Sequence, residues 1–174
     1  MNLPSEIRVG ASLGSSRDSR ANSSPADSSR ARQLVLQLGA NAAPLLPLEV
    51  VMASRRLSAE EAESLVDQCR LGWVFDIRRP GADRRELRIH RDSLLGEKLS
   101  LDDAIARILP LGDGPVRGKF LARQFSCSPS HIINLIADGF LIAALEREHA
   151  KASPAIFRVS VERFLKTRVE TTPL

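Results

Sequence analysis

Phe120-Leu121-Ala122-Arg123-Gln124-Phe125, followed by Ser126-Cys127-Ser128-Pro129-Ser130-His131-Ile132-Ile133-Asn134-Leu135-Ile136-Ala137-Asp138-Gly139, is the stretch on which the fold turns. Its apolar residues (121, 122 and 125, then 132, 135 and 136) recur at helical spacing in two separate runs. Between the runs, Ser126-Cys127-Ser128-Pro129 stops one helix and starts the next. Ser128 offers its hydroxyl to the unbonded amides, and Pro129 suits the first helical position. Gly139 marks the end, because glycine enters the left-handed conformation of a helix stop at least cost. The spacing predicts a helix over 119–125 and a second over 130–138. Ile132, Leu135 and Ile136 then pack on Leu121, Ala122 and Phe125, and Ser128, Ser130, His131 and Asn134 project from the opposite face.

Beyond Gly139 the chain reads as an extended 140–142, a charged loop over 146–153, a returning strand over 155–159, and a last helix over 161–167 capped by Ser160. Helix, tight turn, helix, strand, polar loop, strand and closing helix is the order of a winged helix-turn-helix. The stretch Phe120 to Leu141, completed by Phe157-Arg158-Val159-Ser160-Val161-Glu162-Arg163-Phe164-Leu165, resembles the excisionase and MerR-type DNA-binding domains. The resemblance covers residues 116–169. It implies a bacterial, phage or plasmid protein that binds double-stranded DNA as a transcription regulator or recombination directionality factor. It also implies a wing that touches backbone or minor groove, for which Arg147, Lys151 and Arg158 are the matching cations.

The residue chemistry points the same way. A recognition helix enters the major groove by its N-terminal end. There Ser130, His131 and Asn134 are the expected base contacts, an asparagine being suited to adenine, and Ser128 together with the free amides is expected at a phosphate. The helix holds no Lys or Arg, and Glu146 and Glu148 stand in the wing. The unit's low net charge and acidic wing favour a rival reading, a protein-interaction adaptor or anti-activator that keeps the fold without binding DNA, and an arginine-dense hairpin upstream opposes it.

Upstream, Ser58-Ala59-Glu60-Glu61 reads as a capping box opening a helix. From Trp73 the period changes to two. Trp73, Phe75 and Ile77 share one strand face, with Asp76 and Arg78 outward; Pro80-Gly81 turns the chain; Leu87 and Ile89 return, with Glu86, Arg88 and His90 outward. This hairpin is dense in arginine, and Arg78, Arg79, Arg84, Arg85 and Arg88 are its expected DNA-backbone contacts, since guanidinium forks fit phosphate; the alternative is a salt-bridged, solvated ribbon. Short helices follow at Asp92 and after Ser100. Leu87–Leu95 superposes without gaps on Phe157–Leu165, which predicts a degenerate winged unit over 54–109 with its second helix reduced to about one turn at 67–72.

The expected organisation is therefore α+β: tandem small winged-helix units behind a disordered arm. Residues 1–53 are arm and linker, 54–109 the first unit, 110–115 (Pro-Leu-Gly-Asp-Gly-Pro) a linker, 116–169 the second unit and 170–174 a tail. The first 32 residues hold nine serines and almost no apolar periodicity, too little apolar surface to offset ordering entropy. The 174-residue chain has 25 Lys+Arg against 21 Asp+Glu, a net charge of +4 that permits a polyanionic partner without demanding one. Gly39, Pro44 and Pro47 interrupt the most apolar stretch, which argues against a membrane span. Two cysteines suit a reducing cytoplasm, with nucleoid association following from DNA binding. The three histidines have no metal-ligand spacing, and no phosphate loop or nucleophile elbow occurs, so no enzyme, metal or cofactor is expected. A homo-oligomer fits the reading.

Overall fold

A computed structural model of the chain describes residues 43–144 and 153–171. Seven helices and seven short strands follow one another in it. The first half holds β1 (Leu45–Pro47), α1 (Leu48–Arg55), α2 (Ala59–Asp67), β2 (Val74–Asp76), β3 (Leu87–His90), α3 (Arg91–Leu94) and α4 (Leu101–Ile108). The second holds β4 (Val116–Arg117), α5 (Gly118–Gln124), α6 (Pro129–Ala137), β5 (Ala143–Ala144), β6 (Ala155–Ile156), α7 (Arg158–Thr167) and β7 (Val169–Thr171). The strands form two antiparallel sheets, ordered β1-β3-β2-β7 and β4-β6-β5.

Both halves thus run strand, helix, helix, strand, strand, with the third strand in the middle of the first three. Leu46 and Val74 flank Ile89 in one sheet, and Val116 and Ala143 flank Ile156 in the other. The helix pairs match at a constant spacing of 70 positions (56 to 126, 58 to 128, 69 to 139). Arg56 and Ser126 take the left-handed turn between helices (φ 55 and 48), and Leu57 N→Met52 O repeats as Cys127 N→Ala122 O. Ser58 and Ser128 cap the second helices, through Glu61 N and His131 N. Those helices end alike, with Cys69 and Gly139 left-handed and Arg70 N→Leu65 O matching Phe140 N→Leu135 O.

This pairing corrects the expected first unit. Residues 44–53 are not linker: they supply β1 and most of α1, the counterpart of α5. No second helix has been lost at 67–72, because α2 is itself the counterpart of α6. The gapless match of 87–95 to 157–165 is three positions out of register, since it lays strand β3 on helix α7. Alternating apolar residues fit either register, and only the cap geometry separates them. His90 and Phe157 are the equivalent caps. Ser160 accordingly does not cap α7; its hydroxyl donates to Phe157 O and accepts from Ile142 N.

Alternation along β2 divides the interior. Val74, with Leu87 and Ile89 of β3, faces Val51, Val66 and Leu71 around the first helix pair. Trp73, Phe75 and Ile77 face the other way, into a larger cluster with Leu121, Phe125, Ile132, Leu135 and Phe164 of the second half. The first sheet is covered on both faces, the outer one by the second half. Arg88, on the outer face, is buried against the second half and His90 beneath α4, while Asp76 is buried on the Val74 face, so none of the three points outward. The core passes across residues 110–115, and β7, expected as part of a closing segment and tail, pairs with β2. Phe125 and Phe164 stack with centroids 6.2 Å apart at the centre of this junction.

Candidate nucleic-acid interface

Helix α6 forms where the sequence places it. Ile132 and Leu135 are buried, and Ile136 packs partly against the same cluster as Leu121, Ala122 and Phe125. Ser128 Oγ accepts from His131 N at 3.2 Å, and Ser130 Oγ lies 3.3 Å from Ser128 Oγ. Ser128, Ser130, Ile133 and Ala137 are exposed and Asn134 is half-buried, so the outward surface is neutral and carries one large apolar group, Ile133 at 54% exposure. Ile133 is a candidate contact that sequence reasoning missed. Its place in an apolar pair with Ile132 hides which of the two turns out.

His131 turns inward. A carbonyl only accepts, so Nε2 carries the proton and donates to Ile77 O at 2.8 Å, while Nδ1 lies 3.5 Å from Glu86 Oε2. Its side chain keeps 12% exposure and has no reach to a base. The groups holding it belong to the first half, in the loop between β2 and β3.

That loop and its strands grip α6 along its length. Arg88, expected at a phosphate, is buried: its guanidinium donates to Phe125 O (2.8 Å) and Ser126 O (3.4 Å) at the turn before α6, and pairs with Glu86 at 2.8 Å. Ser126 Oγ donates to Leu45 O at 2.7 Å, which holds the left-handed turn against β1. At the far end Arg79 takes Asp138 in a fork, Nε and Nη2 donating to the two carboxylate oxygens at 2.8 and 3.2 Å. The Arg79 guanidinium holds the Asp138 carboxyl below its ordinary range, and the carboxylate in turn raises the arginine.

The other expected cations are dispersed. Arg78 pairs with buried Asp76 at 2.9 Å. Arg158 is consumed by Glu162 (2.9 Å) and by Pro110 O and Gly112 O (2.6 and 2.7 Å). Arg84 and Arg85 stay exposed on the β2–β3 loop, each 3.8 Å from one carboxylate (Glu49 and Glu170). Arg147 and Lys151 lie outside the described residues. Arg123 is an exposed cation on α5 that the sequence reading passed over. Of the expected contacts, then, Ser128, Ser130 and Asn134 come together on one surface, with Arg84 and Arg85 on the loop whose two ends brace α6.

The counterpart helix differs in charge. α2 presents Glu60, Glu61, Glu63 and Asp67, all exposed, at the positions where α6 has Ser130, the inward His131, Ile133 and Ala137. Cys127, at the turn, is partly buried, and burial pushes its thiol up to about 12, so it is no thiolate at neutral pH. Among the described residues no group of three or more His, Cys, Asp or Glu stands close enough to hold a metal ion, and no helix is long and apolar enough to cross a membrane. No family model, curated protein or solved structure matches the chain.

Proposed function

We propose that the protein is a non-enzymatic, sequence-specific double-stranded DNA-binding protein built of tandem winged-helix units, a transcription regulator or excisionase-like directionality factor. The observation that carries this reading is the exposed, acid-free N-terminal end of α6, the second helix of a pair whose first strand and hairpin close one small sheet. Laid in a major groove, that end offers Asn134 to an adenine edge, Ile133 to a thymine methyl, and Ser130 with the free amides to a phosphate. Arg84 and Arg85 supply backbone contact from the neighbouring loop. The first half does not read DNA in this scheme, because four carboxylates on α2 oppose phosphate. One chain therefore covers one half-site.

Selection from a random duplex pool tests this. The wild type enriches one motif, Asn134→Ala relaxes it, and Arg84→Ala/Arg85→Ala weakens all sites alike. Binding to random duplex falls steeply with salt, by about one power of salt concentration for each phosphate contact. Failure to hold any duplex at low salt ends the proposal. The adaptor reading is the alternative, favoured by the absence of Lys and Arg on α6 and the exposure of Ile133.

A further inference from the structure

One backbone device occurs twice. In the first half the Ser93 hydroxyl donates to His90 O (2.9 Å) and accepts from Trp73 N (3.0 Å), while His90 N donates to Trp73 O (2.8 Å). In the second the Ser160 hydroxyl donates to Phe157 O (2.8 Å) and accepts from Ile142 N (3.1 Å), while Phe157 N donates to Ile142 O (2.9 Å). Trp73 thus corresponds to Ile142, His90 to Phe157 and Asp92 to Val159.

What covers these positions does not correspond. In the first half the segment carrying α4 lies over them. Trp73 Nε1 donates to Leu99 O at 2.9 Å, Arg107 bonds Asp92 at 2.7 Å, and the His90 ring meets the backbone of Ala104. Trp73, His90 and Asp92 are 7, 0 and 9% exposed, but Ile142, Phe157 and Val159 are 45, 48 and 70% exposed. Three of the five large apolar side chains exposed among the described residues therefore stand where the first half is covered.

We infer that a second copy of the chain covers this face, laying the segment before its own β1 across it, head to tail, as α4 lies across the first half. The covering segment of the first half is the one that precedes β4, with apolar residues Leu101, Ala104, Ile105 and Ile108. Seventy positions earlier, the spacing that relates the helix pairs, the sequence carries Ala31, Leu34, Val35 and Leu38 ahead of β1. The stripe has the same i, i+3, i+4, i+7 spacing and so the same width. The charges change in step: Asp92, which meets Arg107, becomes Val159, and Arg107 becomes Gln37, so no cation is buried against the apolar face. Within one chain the segment before β4 covers the first half, and the segment before β1 of a second copy repeats that contact on the second half. The two surfaces differ, so the contact is heterologous: it closes into a ring where the rotation between copies allows and otherwise runs on as an open array. It stands apart from DNA binding and involves none of the residues proposed to touch the duplex.

The test is the mass of the full-length chain in solution across a wide concentration range. The wild type gains mass with concentration. Phe157→Glu/Val159→Glu is monomeric and melts where the dilute, unassembled wild type does, since both side chains are exposed. Leu34→Glu/Val35→Glu is monomeric too, and an equal mixture of the two variants yields a species of two chains and nothing larger. Should the second variant fail to fold, the first suffices: it keeps its covering segment and so still binds a wild-type face, while offering no face of its own. A wild type that stays monomeric throughout, a face variant that assembles with itself as the wild type does, or one that binds no wild-type chain overturns the inference.

Discussion

His90 shows how far one side chain's position decides its chemistry. Its ring is fully buried, Nδ1 accepts from Ser93 N at 3.4 Å, and Nε2 has no hydrogen-bond partner among the described residues. Burial lowers its pKa to about 4, against the opposing pull of Asp92. The folded state thus holds the neutral ring while the unfolded chain takes up a proton near pH 6.5. Stability is complete above that value and is lost as pH falls towards about 4, by roughly 3 kcal/mol in all. Urea denaturation at neutral pH and just above pH 4 measures the loss, and His90→Asn, which keeps an acceptor for the cap, flattens it. Arg88 is the second such residue. Its removal leaves Phe125 O, Ser126 O and Glu86 without their cation at a buried junction, and Arg88→Met is expected to cost about 3 kcal/mol in the same assay. Arg88→Lys recovers little, because an ammonium cannot span the fork.

At the scale of elements, caps and turns were legible and burial was not. Ser58 with Glu61, Ser100 and Ser128 each start a helix where the sequence places one, because a capping hydroxyl acts within four residues and needs no tertiary partner. The 73–77/87–89 hairpin follows for the same local reason. Arg88 and His90 were misread because alternation predicts two faces but not that the second half and α4 cover the polar one, and His131 because helical spacing does not show the β2–β3 loop that packs beside it. β1 and α1 were missed because three residues of strand and eight of helix leave almost no periodic signal. Of the candidate site, Ser128, Ser130 and Asn134 could be found from a single helix; the grip of Arg79 on Asp138, 59 positions away, could not. Two glycines with left-handed backbone give a prediction at this scale. Gly72 (φ 80) backs onto Ser93, and an added methyl would collide with that hydroxyl, whereas Gly139 (φ 78) faces open space. Gly139→Ala is expected to cost about 1 kcal/mol, the left-handed penalty alone, and Gly72→Ala a further 1–3 kcal/mol for steric displacement. Thermal melts of the pair separate strain from collision.

The whole molecule is joined by one shared cluster. Leu45, Phe75 and Ile77 of the first half lie in the same cluster as Phe125, Leu135 and Phe164 of the second, so the second half has no core apart from the first, although the first helix pair keeps a smaller cluster of its own. Calorimetry is expected to give one transition, with equal calorimetric and van't Hoff enthalpies, and not two. Two resolved transitions would mean that 110–115 behaves as a true linker.

β7 sets a further condition. The Thr171 hydroxyl donates to Gly72 O across 99 positions, at the free border of β2. During synthesis at about 5–20 residues per second, that border waits roughly 5–20 s for its last strand. Throughout the interval the nascent protein offers an open β edge to any neighbour on the polysome. Anything that slows translation late in the message lengthens that exposure, and a chaperone that shields extended backbone would bind during it.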